Sequence, residues 1–163
     1  MMTPLNNPIE VGMRILVVLN ELSPRALGLS QLTYLDYCIL HSSDFDGPES
    51  LHPKLPAGPG EFGMKRKLIE DGLQLMVRAS LIEVRTASDG IVYAATENAA
   101  GFIDIFDSKY IEELQERANW VSHTMALVDD LQLAQAMKEI YSKWLREFDP
   151  SVVSLTSEEA IDE

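Results

Sequence analysis

The chain has 163 residues, a hydrophobic fraction of 46% and a formal net charge of −13. This length suits one compact domain with a helical extension, and the hydrophobic fraction excludes a chain that is disordered throughout. Phosphate neutralisation supplies most of the affinity of nucleic-acid binders, so the acidity argues against a free-standing DNA-binding protein. A single cysteine, Cys38, excludes an intramolecular disulfide. Because no apolar run is long enough for a signal peptide or a membrane span, we expect a cytoplasmic protein.

The first predicted helix begins at a strong start signal. Residues Asn7–Glu10 supply a capping side chain, a proline for the first helical position and a carboxylate in the first turn. The run Val11–Leu22 is apolar nearly all round, with Arg14 and Asn20 as the main exceptions, which predicts a helix buried on most sides. Pro24 is expected to end it.

A second helix is predicted at about Gln31–His41, with Ser30 as its cap. Asp36 falls outside its apolar face, which is formed by Leu32, Leu35 and Ile39. The following segment, 42–63, contains four prolines and four glycines in 22 residues, a density that predicts an irregular loop. Long ordered loops in compact domains are often functional.

Helical periodicity returns from about Met64 to Ala79 and then changes to strand-like alternation. The two strands are expected at Leu81–Ala87 and Ile91–Thr96, joined by a tight turn at Ser88–Gly90. A short helical segment, Glu97–Phe106, follows. Three helices followed by a β-hairpin is the element order of a winged helix-turn-helix domain, which is an inference about fold alone.

The predicted fold is therefore mainly α with a small β-hairpin. We expect a winged-helix domain over residues 1–107, with the loop 42–63 inserted in it. Ser108 then caps a C-terminal helical hairpin over 108–148, because two apolar seams recur there at steps of three and four residues. Residues 149–163 hold five acids and no base, which predicts a mobile acidic tail.

Five basic residues are candidate DNA contacts, four on the third helix and one on the hairpin: Lys65, Arg66, Lys67, Arg78 and Arg85. Consecutive helical residues are about 100° apart, so the three adjacent cations cannot share one face. Glu70 and Asp71 follow Arg66 and Lys67 at a spacing that permits pairing within the helix. A solvated, charge-balanced surface or a protein-docking face is the competing interpretation.

Catalysis and metal binding have weak support in the sequence. The possible metal ligands are spread along the loop and its borders: His41, Asp44, Asp46, His52 and Glu61. No pair has a recognised ligand spacing, and the histidines can equally hold the loop in shape. Cys38 lies within a predicted helix, where a free cysteine behaves as a small apolar residue. We therefore predict no catalytic residue, no metal and no cofactor, with a metal-dependent hydrolase as a remote alternative.

Trp120 is a candidate partner contact. On a regular helix it falls about 180° from Ile111, on the side that carries Glu113 and Glu116. A large aromatic residue on the charged side of an amphipathic helix can anchor an interface. Burial of both sides of the helix within its own fold explains the position equally well.

Several short motifs resemble one family. They are residues 7–14 (Asn-Pro-Ile-Glu-Val-Gly-Met-Arg), Asp36-Tyr37, His41-Ser42, Gly47-Pro48, residues 50–53 (Ser-Leu-His-Pro), Gly60-Glu61, Ile69, Gly72-Leu73 and Leu81-Ile82. Together they resemble the middle component of bacterial three-component ABC-ATPase conflict systems, the group that includes Lamassu. The resemblance covers about residues 5–125 and is strongest in the loop, where His52 and Glu61 become further candidate partner contacts.

The resemblance implies a specific role. In such systems an ATPase similar to SMC proteins and Rad50 senses foreign DNA, and an effector, often a nuclease, does the damage. The middle subunit is a winged-helix protein without enzymatic activity that lies between them. The resemblance therefore implies that this chain is an adaptor whose partners are the ATPase and the effector, and that it contacts DNA only as part of the complex. A winged-helix transcriptional regulator that dimerises through its C-terminal hairpin is the alternative.

Overall fold

The structure is a computed structural model that describes residues 7–45, 47–51, 61–88 and 90–124, and in the C-terminal part residues 131, 132, 135, 138, 139 and 142. For residues 44, 45 and 61–64 it gives the backbone alone. The described part is mainly helical and contains one antiparallel β-hairpin, as predicted. None of its helices combines the length and the apolar character that are needed to cross a bilayer.

Helix α1, Pro8–Leu22, is the centre of the core. The Asn7 side chain caps it, because Asn7 Oδ1 accepts a hydrogen bond from the Glu10 amide at 2.9 Å. Every residue from Val11 to Leu19 is buried, since α1 packs against α3 on one side and α5 on another. The predicted cap and the predicted burial of this helix are both confirmed.

Helices α1 and α3 cross with their backbones in close contact at two glycines. A Cβ atom added to Gly72 would lie 2.7 Å from the Gly12 nitrogen and 2.9 Å from the Gly12 Cα. A Cβ atom on Gly12 would lie 2.9 Å from the Gly72 carbonyl oxygen. Real side chains do not tolerate such distances to backbone atoms, so the crossing requires glycine on both helices.

Helices α2 and α3 begin earlier than the sequence predicts. Helix α2 is Leu29–Leu40, and its N-cap is Gly28, whose amide donates to Gln31 Oε1 at 2.9 Å. The predicted cap at Ser30 is therefore wrong. A short 3₁₀ helix, Ser42–Phe45, follows α2, and helix α3 is Glu61–Arg78. The ends of the predicted irregular segment 42–63 are thus helical.

The β-hairpin consists of β1, Ile82–Ala87, and β2, Gly90–Ala95. The strands pair in antiparallel register, with Val84 opposite Tyr93. On the other side of β2, the connection between α1 and α2 adds a single antiparallel bridge between Leu27 and Tyr93. The Leu27 amide donates to the Tyr93 carbonyl at 2.9 Å, and the Tyr93 amide donates to the Leu27 carbonyl at 2.8 Å.

Two helices follow the hairpin, α4 at Ala99–Asp104 and α5 at Lys109–Thr124. The predicted cap of α5 is confirmed, because Ser108 Oγ accepts a hydrogen bond from the Ile111 amide at 3.2 Å. Helix α5 packs on α1 and α2 through its buried apolar row. The predicted second helix of the C-terminal hairpin and the acidic tail 149–163 lie mostly outside the described residues.

Candidate partner interface

A buried cluster of three charged residues joins helices α1, α2 and α3. Arg14 on α1 is 2% exposed and Asp36 on α2 is 0% exposed. Two bonds join them, Arg14 Nε to Asp36 Oδ1 at 2.8 Å and Arg14 Nη2 to Asp36 Oδ2 at 3.3 Å. Lys65 on α3 completes the cluster, with Nζ 3.3 Å from Asp36 Oδ2 and 5.7 Å from the centre of the Tyr37 ring.

The cluster holds Asp36 in its charged form. Burial alone would raise the pKa of Asp36, but the Arg14 guanidinium and then the Lys65 ammonium outweigh burial and lower that pKa to about 2. Burial alone would likewise lower the pKa of Arg14, and the Asp36 carboxylate raises it above its usual value. The three charges therefore compensate one another inside the fold.

The basic residues that the sequence groups together lie in different surroundings. Lys65 faces inward to Asp36, whereas Arg66 is exposed, with Nη1 3.5 Å from Ser30 Oγ. Lys67 is 76% exposed and pairs with Asp71 at 3.8 Å, as its spacing predicts. Arg85 on β1 pairs with Glu83 on the same strand.

Arg78 lies exposed in the last turn of α3. The outward side of α3 also carries Arg66, Lys67 and the acidic residue Glu70, with Asp71 partly exposed beside them. This mixture of charges differs from the basic stripe that is typical of DNA-reading helices. A DNA contact at these residues remains a prediction.

A loop lies at the start of the Pro/Gly-rich segment; we name it the anchored loop and define it by the described residues 41–45 and 47–51. Ser42 is buried and its Oγ donates to the Pro48 carbonyl at 2.7 Å, while the Gly47 amide donates to the Ser42 carbonyl at 3.0 Å. The Ser43 amide donates to Ser50 Oγ at 3.1 Å. These bonds fold the loop back on itself, which satisfies polar groups that a longer open loop would leave to water.

Helix α5 holds the anchored loop from the other side through Arg117. This residue is buried, and its Nε and Nη2 atoms donate to the Glu49 carbonyl at 3.1 and 2.6 Å. Its Nη1 atom lies 3.4 Å from the Glu113 carbonyl and 3.5 Å from Glu116 Oε2. The forked guanidinium therefore fixes the path of the loop relative to α5.

Trp120 packs under the anchored loop. Its indole ring is half-buried against the core, and a Cβ atom on Gly47 would overlap three atoms of the ring. Glycine at position 47 therefore allows the loop backbone to lie directly on the indole. The loop covers part of the charged side of α5, as expected if both sides of this helix are buried within the fold. Contact of the remaining exposed part with a partner is a prediction that the structure leaves open.

We expect Arg117→Met to loosen the anchored loop. Methionine keeps most of the aliphatic length but removes both donors to the Glu49 carbonyl, which should cost about 1–3 kcal/mol because the donor is charged and buried. Amide hydrogen exchange over residues 42–51 should accelerate at least about tenfold. Lys109→Met, an exposed cation on the same helix, is the control. Unchanged exchange in Arg117→Met would show that the loop does not depend on this bond.

The histidines and the predicted metal ligands are only partly within the described residues. The His41 ring lies against the Tyr37 ring at a tilt of 40°, with ring centres 4.7 Å apart. Asp46 and His52 lie outside the described residues, as do the side chains of Asp44 and Glu61. In the part of the chain that the structure describes, no group of three histidine, cysteine or acidic residues is arranged to hold a metal ion.

Cys38 is an apolar core residue in this fold. It is fully buried beside Tyr34 on α2, and burial raises the pKa of its thiol to about 12. The thiol is therefore neutral at physiological pH, which removes the thiolate that nucleophilic chemistry requires.

Sequence reasoning missed two contributors to this site, Asp36 and Arg117. Asp36 lies outside the apolar row of α2, yet α2 is buried nearly all round, so the periodicity gave no signal for its burial. A usable signal existed in Arg14, because a cation within an apolar helix that is buried on all sides requires a buried anion. For Arg117 the acceptor is a main-chain carbonyl, which no side-chain pattern can indicate.

The geometry defines a small, mainly helical protein whose distinctive features are a fixed loop on α5 and a charge-balanced face on α3. The family model for the middle component 2 of ABC-three component (ABC-3C) systems matches residues 4–147. The chain therefore belongs to this family, and the resemblance found in its motifs is confirmed. A comparison with curated proteins and one with solved structures found no match.

Proposed function

We propose that the chain is a non-catalytic adaptor that joins an SMC- or Rad50-like ATPase to an effector, such as a nuclease, in bacterial defence against phage or plasmid DNA. The observation that carries the proposal is the family match over residues 4–147, since a middle component works with the other subunits of its system. The fixed surface of the anchored loop supports the proposal, because a preorganised surface loses little entropy when it binds.

The order of elements also supports a winged-helix fold for this adaptor. Helix α1 is followed by the bridge at Leu27, helices α2 and α3, and the two strands of the hairpin. In a winged helix the segment between the first two helices adds a short third strand to the hairpin, and the Leu27–Tyr93 bridge occupies that position. In this interpretation α3 and the hairpin form the outward surface.

Co-purification tests the adaptor proposal. The tagged chain, expressed with the proteins encoded next to it, should elute with an ATPase as one complex in size-exclusion chromatography. Arg117→Met should weaken that complex, whereas Lys67→Met should leave it intact, because Lys67 is a solvated side chain paired within its own helix. Alanine at Trp120, His52 or Glu61 tests each candidate contact in the same assay. Elution of the chain and the ATPase as separate peaks would contradict the proposal.

A winged-helix transcriptional regulator is the second candidate, and the element order favours it. It needs cations that face DNA, and Arg66 and Arg78 are the exposed basic residues of α3 that lack a described ion pair with a carboxylate. A mobility shift with DNA from the upstream region distinguishes the two functions. Sequence-specific binding by the isolated chain at physiological salt would favour the regulator over the adaptor.

A further inference from the structure

The outer edge of the hairpin is unpaired in the part of the chain that the structure describes. The sheet has two strands, and the Leu27 bridge lies on the β2 side, so β1 is an edge strand. Exposed edge strands are templates for pairing with another chain, and proteins normally protect them with short length, charged side chains, proline, a bulge or a covering element. Of these devices β1 has its six-residue length and two charges of opposite sign, Glu83 and Arg85, which repel a mismatched strand but not a complementary one. The sequence of β1, Ile82–Ala87, contains no proline and pairs with β2 in unbroken register.

The hydrogen bonds of Tyr93 determine which main-chain groups of β1 face outward. The Tyr93 amide and carbonyl both bond to Leu27, away from β1. In an antiparallel ladder the residue opposite, Val84, is therefore in a non-hydrogen-bonded pair, and its own amide and carbonyl point to the free edge. Alternation assigns the same outward direction to Ile82 and Thr86.

The side chains around this edge are self-complementary. Val84 is flanked on its own strand by an acidic and a basic residue, Glu83 and Arg85. If a second copy of β1 pairs antiparallel with its two-fold axis at Val84, each Glu83 faces Arg85 of the other copy. The two Val84 residues then exchange both main-chain hydrogen bonds, as their outward groups allow.

The neighbouring registers are unfavourable. Moving the two-fold axis by one residue, which shifts the register by two residues, places Glu83 opposite its own copy or Arg85 opposite its own copy, and like charges directly opposite each other destabilise a sheet. Only the register centred on Val84 gives two opposite-charge pairs and matches the outward main-chain groups. Charge therefore selects one pairing among those that the backbone permits.

The apolar side of the hairpin is consistent with such a pairing. Val84 is 50% exposed, and Ile91, on the same face of the sheet, is 59% exposed. A four-stranded sheet formed by two hairpins would place the two Val84 side chains directly opposite each other, between the two copies of Tyr93, which reduces the contact of Val84 with water.

We infer that β1 is a homodimerisation edge, at which two copies of this chain join their hairpins into one antiparallel four-stranded sheet centred on Val84. Two strands of six residues bury less surface than a standard stable interface, so the contact is transient in the isolated protein. It joins two copies of the adaptor without using the anchored loop.

Disulfide trapping tests the register directly. Residues in a hydrogen-bonded antiparallel pair have Cα atoms about 5.5 Å apart, which is within the range of a disulfide. Under mild oxidation, full-length Val84→Cys should form a covalent dimer at least about tenfold faster than Thr86→Cys. Thr86 is exposed on the same face, but in this register it faces Ile82 of the other copy. The native Cys38 is buried and does not compete.

Charge reversal provides a test that a folding defect cannot imitate. In the Val84→Cys background, Glu83→Arg and Arg85→Glu should each slow trapping about tenfold when tested alone, because each creates like-charge pairs. An equal mixture of the two variants should recover fast trapping and yield the mixed dimer, since both cross-strand pairs are then opposite in charge.

Equal trapping rates for Val84→Cys and Thr86→Cys, or no recovery in the mixture, would overturn the inference. So would a Val84→Cys protein that stays monomeric alone and is protected from oxidation only with its partner subunits, because the edge would then receive a strand from another protein. The first two results are obtained with the isolated chain and do not depend on whether it is an adaptor.

Discussion

Asp36→Asn should lower the free energy of unfolding by about 3–5 kcal/mol, the range found when one partner of a buried ion pair is removed. The asparagine has nearly the same volume but removes the carboxylate charge that lies against the Arg14 guanidinium, which is 2% exposed. Urea denaturation, compared at constant m value, measures the change. Stability equal to that of the unsubstituted protein would show that Asp36 does not compensate the buried charge.

A double variant separates lost charge compensation from lost packing. Arg14→Met with Asp36→Leu removes both fully buried charges and keeps apolar volume, and such replacements are often neutral or stabilising. Lys65 is partly exposed, so its ammonium can turn to water when Asp36 is absent. We therefore expect the double variant to be more stable than Asp36→Asn.

The same carboxylate gives the stability a defined dependence on pH. The pKa of Asp36 is about 2 in the folded protein, below the value of about 3.9 expected in the unfolded chain. The unfolded state therefore binds the proton more readily, so stability from this group is present above about pH 4 and is lost as the pH falls toward 2. The Asp36→Asn protein should lose less stability over this interval.

Gly72→Ala should destabilise the protein by about 2 kcal/mol, although alanine is the better helix former by about 1 kcal/mol. The added methyl group would meet the Gly12 backbone at 2.7 and 2.9 Å, and backbone atoms cannot rotate away as a side chain can. The helices α1 and α3 must then separate, which opens the core around α1.

Gly101→Ala is the matched control for this prediction. Gly101 lies within α4, and a Cβ atom there would meet nothing within 4 Å. The substitution should therefore stabilise the protein by about 0.5–1 kcal/mol through helix propensity alone. Thermal denaturation should show a lower melting temperature for Gly72→Ala and a higher one for Gly101→Ala. A stabilised Gly72→Ala protein would contradict the close crossing of the helices.

The sequence was informative where local signals agree with tertiary packing. The cap at Asn7, the proline at the first helical position and the unbroken apolar run predicted both the bounds and the burial of α1. The strand-like alternation on either side of the turn at Ser88–Gly90 likewise predicted the hairpin. Helix α3 starts inside the predicted loop, at Glu61, because a single glycine such as Gly63 weakens a helix without forbidding it.

The candidate site was less predictable because its contacts are distant in sequence. Helix geometry predicts that the three adjacent cations point in different directions, but it does not predict that the buried Asp36 turns Lys65 inward and leaves its two neighbours outside. The position of Trp120 on the charged side of α5 is compatible with a partner contact and with burial inside the fold, and only the structure shows that the anchored loop partly covers it. Helical periodicity describes one element at a time, and it contains no information about a loop that folds over that element.

The bond between Arg117 and position 49 spans 68 residues and ends on a main-chain oxygen. Every amino acid has that oxygen, so Arg117 fixes the path of the main chain at position 49 whichever side chain this position carries. Position 49 is exposed and Ser42 likewise binds main-chain carbonyls. Substitutions of the exposed side chain at position 49 should therefore leave the Arg117 bond and the path of the loop unchanged.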